Sequence, residues 1–256
     1  MADSLRDLAL LVEKLRRECP WDREQTLETA KTFLLEECYE VLEALDSGAP
    51  ERVRDELGDL LFQVFFVARM TADLGWFGAD DVAAAISQKM IARHPHVFGQ
   101  ARARDAAEVK RSWEERKRKE KGAETDPLAS VPAALPAMAA AHRMTSRAAD
   151  LGFDWEHDAD VATKIEEELS EWRAAAQEAD RDSEEKEIGD LLFSVVNLAR
   201  RRRVDPETAL RRTNARFRSR FARVSELAHQ SGREISEIPL EELDRYWEEA
   251  KRQENL

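Results

Sequence analysis

The segment ELGDLLFQVFFVAR at 56–69 returns 131 residues later as EIGDLLFSVVNLAR at 187–200. The same offset carries LEECYE at 35–40 onto EEELSE at 166–171. Glu36, Glu37 and Glu40 therefore correspond to Glu167, Glu168 and Glu171, and Glu56 and Asp59 correspond to Glu187 and Asp190. Two segments that match at one offset without a gap between them are improbable by chance. The chain reads as two copies of one module, which limits it to a tandem architecture.

The copied segments carry helical, not strand, periodicity. In the second copy Ile188, Leu191, Leu192, Val195 and Leu198 form an apolar stripe expected to pack that helix against its partner. Only nine Gly and eight Pro punctuate 256 residues, fewer than a sheet protein with many tight turns needs. The expected fold is all-α, a tandem repeat of two four-helix modules. Helices are expected over about 4–17, 27–45, 51–74, 79–93, 134–151, 160–178, 183–202, 206–230 and 240–253. A charge-rich stretch over 100–131 holds a further helix expected around 108–121, and Gly122, Pro127 and Pro132 mark a loop. The expected domains are 1–120 and 132–256, joined by a linker at 121–131.

The formal net charge of −13 argues against a nucleic-acid binder. An acidic protein that handles phosphates needs divalent metal between its carboxylates and the substrate. The two cysteines, Cys19 and Cys38, make no disulfide framework, and a reduced cytoplasm is expected. No apolar run approaches the roughly 20 residues of a membrane span. The first helix, interrupted by Asp3, Asp7 and Glu13, reads as amphipathic and not as a signal peptide.

Each copy reads E-E-x-x-E on one helix and E-x-x-D on the next. Residues three or four apart share a helix face, so Glu168 with Glu171, and Glu187 with Asp190, point together. A short connection makes the two helices antiparallel neighbours whose carboxylate pairs can face one another. A lone EExxE is usually a solvated, salt-bridged face. Its recurrence with the same ExxD partner, beside an apolar stripe, favours a site. Four facing carboxylates repel unless a cation separates them, and an oxygen-only set suits Mg²⁺, with Mn²⁺ as a substitute. A di-iron bundle is disfavoured because those sites use Glu-x-x-His, and Asp stands here instead. His94 and His96 flank Pro95 and are expected to end a helix, not to bind metal.

These motifs, with GDLLF on the second helix, resemble the MazG family of all-α nucleoside triphosphate pyrophosphohydrolases. CPWDREQT (19–26), RHPHVFG (93–99), NLAR (197–200), NARFRSRF (214–221) and YWEEAKRQE (246–254) are similar to the two-copy members of that family, in order along the chain. The resemblance implies hydrolysis of nucleoside triphosphates to monophosphate and pyrophosphate, in the service of nucleotide-pool cleaning.

The copies differ where a substrate would sit. Lys164 replaces Phe33, Asn197 replaces Phe66, and the second copy is followed by Arg200 to Arg203, Arg211, Arg212, Arg216, Arg218, Arg220 and Arg223. Such a local positive stretch suits a triphosphate tail. The resemblance likewise implies that the C-terminal copy does most of the hydrolysis. It implies Mg²⁺ ligation by Glu168, Glu171, Glu187 and Asp190, with Glu167 or Glu168 orienting the water. It places Lys164, Glu167, Glu168, Lys186, Asn197, Arg216, Phe217, Arg220 and Trp247 around the nucleotide. Glu37, Glu40, Glu56 and Asp59 form a second set that either binds metal or supports the assembly. Stacking on an aromatic ring implies a broad base range. A homodimer is expected, because unpaired apolar stripes need a partner. The rival readings are a narrower dUTP-type or alarmone hydrolase and a non-enzymatic helical assembly protein.

Overall fold

In the computed structural model, residues 2–106, 108–109, 112–113, 116 and 126–254 are described, and they form helices and turns with no strand among them. The helix expected at 108–121 and the first half of the expected linker lie largely outside the described residues. The chain divides into two units, Met1–Ala123 and Glu124–Leu256, each with its own helices.

In the first unit, α1 (Ala2–Glu18) leads into a one-turn α2 (Pro20–Glu24), followed by α3 (Leu27–Ser47) and α4 (Pro50–Asp73). Then come α5 (Ala79–Arg93) and the short α6 (Pro95–Phe98). Pro20 follows the end of α1 and starts α2, because a first helical position needs no N–H donor. Thr26 caps α3: its hydroxyl accepts from Thr29 N at 3.3 Å while Thr29 Oγ1 accepts from Thr26 N at 3.0 Å. At the other end Gly48, with φ +66, takes the left-handed conformation that closes the helix. Only Gly48 and Ala49 separate α3 from α4, so the two run as an antiparallel hairpin. His94 does close α5, its Nδ1 lying 2.7 Å from the Met90 carbonyl oxygen.

The core of this unit joins α1, α3 and α4 through Val12, Ala30, Phe66 and Met70, with Leu8, Leu27, Phe62, Phe65 and Val67 packed around them. Phe66 is 2% exposed, and burial of such a side chain contributes roughly 3 kcal/mol.

The second unit holds α7 (Ala137–Asp150), α8 (Asp158–Glu178), α9 (Arg181–Arg201), α10 (Pro206–Gln230), a 3₁₀ turn (Ile235–Glu237) and α11 (Leu240–Glu254). The 131-residue offset carries α3 onto α8 end for end and starts α9 where α4 starts. Ala179 takes Gly48's place and its left-handed backbone, with φ 54. α7 packs on α9 as α1 packs on α4. A fifth long helix, α11, lies against α10 and extends the four-helix pattern in this unit. The loop before α8 is tied to the end of α9. Arg200 reaches Asp154 at 2.5 Å, Arg201 reaches Asp158 at 2.8 Å, and Arg202 reaches Asp158 at 3.0 Å.

The apolar stripe of α9 behaves differently from the expectation. Leu191 and Leu198 are half-buried, but Ile188, Leu192 and Val195 are exposed. Their counterparts on α4, Leu57, Leu61 and Val64, are exposed as well. Each hairpin thus buries one side of its helices and leaves an i, i+4, i+7 apolar row open within its own unit.

Candidate active site

Glu168, Glu171 and Glu187 each offer one oxygen within 4.8 Å of the others. α8 supplies the first two on one face, and α9 brings Glu187 across the hairpin. Asp190, expected as the fourth member, stands outside this trio. Its Oδ2 lies 3.4 Å from Lys186 Nζ, which also donates to Glu187 Oε1 at 2.7 Å. Glu168 is 5% exposed, and Lys164 Nζ sits 2.9 Å from it and 2.9 Å from Glu167.

The crowding of charge shows in the proton affinities. Burial first, then the Glu168 and Glu187 charges, push the Glu171 carboxyl above the ordinary glutamate range. The hydrogen bond from Lys186 holds Glu187 below that range against the cost of burial. Hydrogen bonds to Glu168 and Glu167 raise the Lys164 ammonium. Glu187 Oε2 is buried and meets no donor. An orphaned oxygen at the meeting point of three carboxylates fits a hard divalent cation, since every donor atom there is oxygen.

The first unit repeats the arrangement with a change of membership. Glu37, Glu56 and Asp59 offer oxygens within 4.8 Å of one another. Glu37 and Glu56 are the counterparts of Glu168 and Glu187, but the third member is Asp59, equivalent to Asp190 and not to Glu171. Glu40 stands outside this trio, and its charge acts on Glu37. Burial first, then the Glu40 and Asp59 charges, raise the Glu37 carboxyl, while a hydrogen bond from Gln63 opposes them. Phe33, in Lys164's place, packs its ring 5.6 Å from that of Trp21.

The other expected substrate residues fall in two places. Asn197 Oδ1 accepts from Arg200 Nε at 2.9 Å near the end of α9. On α10 and α11 the Phe217 ring lies 5.2 Å from Trp247, and the Arg220 guanidinium lies 5.7 Å from the Trp247 ring centre. Phe221 stacks on Phe217 at 6.0 Å and extends this platform. Sequence reading passed it over, although its i, i+4 spacing from Phe217 was a usable signal. Arg216 is exposed and donates to Thr213 Oγ1 at 2.8 Å. Gln63, buried beside Glu37, was also missed. Nothing in its sequence neighbourhood separates it from an ordinary helix residue.

A family model described as the MazG nucleotide pyrophosphohydrolase domain matches residues 25–98, and one described as phosphoribosyl-ATP pyrophosphohydrolase matches residues 142–217. These intervals enclose the two carboxylate hairpins. The Thermotoga maritima nucleoside triphosphate pyrophosphohydrolase/pyrophosphatase MazG is 42% identical over 248 residues, covering 96% of this chain and 94% of that one. The chain belongs to the MazG family. The Escherichia coli K12 nucleoside triphosphate pyrophosphohydrolase is 41% identical over 254 residues, covering 96% of this chain and 97% of that protein. Both MazG relatives span the two units, so their similarity reaches the whole tandem arrangement and not one hairpin alone. Among the described residues no helix is long and apolar enough to cross a membrane.

Proposed function

We propose that the second unit hydrolyses nucleoside triphosphates, of broad base range, to monophosphate and pyrophosphate, with Mg²⁺ or Mn²⁺ held by Glu168, Glu171, Glu187 and Asp190. The observation that carries this reading is the meeting of Glu168, Glu171 and Glu187 oxygens within 4.8 Å beside two lysines, Lys164 and Lys186. A divalent cation bound there would neutralise phosphate charge and help ionise the attacking water. Lys164 and Lys186 would meet phosphate oxygens, offsetting charge that grows as the anhydride bond breaks. Glu167, exposed next to the buried Glu168, would orient the water and accept its proton. The water oxygen bonds to phosphorus as the bond to the bridging oxygen breaks, and pyrophosphate leaves. Phe217, Arg220 and Trp247 would take the base by stacking, which every base permits.

The exposed rows Leu57, Leu61, Val64 and Ile188, Leu192, Val195 support a homodimer, because apolar rows at this spacing pair with like rows. Unpaired Cys19 and Cys38 support a cytoplasmic setting.

Pyrophosphate release from the eight common NTPs and dNTPs with Mg²⁺ tests the reading, for the wild type, Glu171→Ala and Glu40→Ala. Loss with Glu171→Ala and retention with Glu40→Ala is the expected result. Absence of release by the wild type would sink the hydrolase reading, and release confined to one nucleotide would narrow it to a dUTP-type or similar enzyme.

A further inference from the structure

The side chain of Gln63 on α4 is 9% exposed and ends at the first unit's carboxylate cluster, where its Nε2 donates to Glu37 Oε1 at 3.5 Å. Its Oε1 is buried and meets no donor, and the same holds for Glu37 Oε2. A buried acceptor without a partner forfeits its hydration, and native proteins rarely keep two of them side by side.

The second unit relieves the equivalent crowding with its own ammonium groups, Lys164 on Glu168 and Lys186 on Glu187 and Asp190. At the same two positions the first unit has Phe33 and Asp55. Among the described residues no Lys or Arg pairs with Glu37, Glu56 or Asp59, whose oxygens nonetheless come within 4.8 Å of one another. Three carboxylates without an internal countercharge attract one from solution. Ser194 stands at Gln63's position in the second unit, so the amide belongs to the cluster that lacks lysines. Carboxylates joined by one neutral carbonyl oxygen make a donor set that hard divalent cations accept.

We propose that Gln63 is a cation ligand, its side-chain carbonyl joining Glu37, Glu56 and Asp59 to hold a divalent cation in the first unit without a nucleotide. The amide completes the oxygen set without adding a fourth negative charge. The first unit is then a cation site that needs no phosphate to assemble, whereas the second presents lysines for an anionic substrate.

The test is titration of the full chain with Mn²⁺ and no nucleotide, followed by the paramagnetic resonance of free Mn²⁺. Glu171→Ala in the second cluster serves as the parent, so that binding reports the first. The parent is expected to bind Mn²⁺, Gln63→Leu to weaken binding about tenfold or more, and Gln63→Glu to retain it. Thermal melts give the second readout. Without metal, Gln63→Leu should melt no lower than its parent, because an orphaned buried oxygen is gone, while the rise in midpoint on adding Mn²⁺ should shrink. Unchanged Mn²⁺ affinity in Gln63→Leu overturns the proposal, as does a parent that binds no Mn²⁺. Joint loss of metal-free stability and Mn²⁺ binding would make Gln63 a structural support for Glu37 and would also overturn it. None of these outcomes depends on nucleotide hydrolysis by the second unit.

Discussion

Lys164 Nζ lies 2.9 Å from Oε1 of Glu168, a carboxylate 5% exposed, one helical turn along α8. Removing the ammonium leaves a buried negative charge beside Glu171 and Glu187 and removes a group proposed to meet phosphate oxygens. Lys164→Met is expected to lower kcat/KM by about 10²-fold, the scale of one lost electrostatic contact to a developing charge. Lys164→Arg should recover part of it. Phe33→Met, at the equivalent place in the first unit, should leave the rate within about twofold if hydrolysis belongs to the second unit. Initial rates of pyrophosphate release decide between these outcomes.

The ring cluster on α10 and α11 has a different signature. Trp247 touches Phe217 at 5.2 Å and carries Arg220 over its face. A base stacked here contributes about 1–3 kcal/mol. Trp247→Ala should therefore raise KM roughly tenfold or more, with a smaller effect on kcat and little dependence on the base. Quenching of tryptophan fluorescence by a non-hydrolysable triphosphate would follow the same site. An unchanged KM would remove the platform from the binding model.

Acid should loosen the second unit through Asp154 and Asp158. Burial favours the neutral form of Asp154, but hydrogen bonds from Arg200, Trp155 N and Arg201 outweigh it and hold the carboxyl below its ordinary value. Hydrogen bonds from Arg202 and Arg201 do the same for Asp158. Groups lowered in the folded state contribute stability that is complete above their unfolded pKa, about 4, and is lost as pH falls through the lower folded value. Melting midpoints measured from pH 7 downward should drop below about pH 4. In Asp154→Asn and Asp158→Asn the drop should be shallower from a lower starting midpoint. A wild-type slope retained in both variants would assign the acid limb elsewhere.

Ala179 closes α8 with φ 54, where Gly48 closes α3 with φ 66. A left-handed backbone costs an L-residue roughly 1–2 kcal/mol, part of which glycine gives back through its freer unfolded chain. Ala179→Gly should stabilise the protein by roughly 0.5–1 kcal/mol, and Gly48→Ala should destabilise it by a similar amount. Differential scanning calorimetry reads both, with activity expected to stay unchanged.

Much of this molecule is legible from local sequence. The helix α8 spans Asp158–Glu178, and the 131-residue repeat places it over α3 without a shift, because capping and apolar period act locally even where the cap residues differ, Thr26 against His157 and Gly48 against Ala179. Spacing also put Glu168 beside Glu171 and Glu187 beside Asp190. Spacing along one helix does not say which side chain reaches across to the next.

That choice belongs to the tertiary structure. The packing and contacts within each hairpin bring Glu171 into the second trio, where Lys186 pairs with Asp190, and Asp59 into the first, although both units carry Glu and Asp at the same motif positions. The same packing leaves Ile188, Leu192 and Val195 exposed, which the period alone assigned to a packed stripe. It also buries Gln63 against Glu37. The amino-acid sequence by itself determined the helices, their pairing and the acidic motifs, because hydrogen bonding, capping and period act within a few residues. Packing between helices decided which carboxylates meet, which apolar rows stay open and which amide lies beside them, because those outcomes depend on distances across the hairpin that no local pattern records.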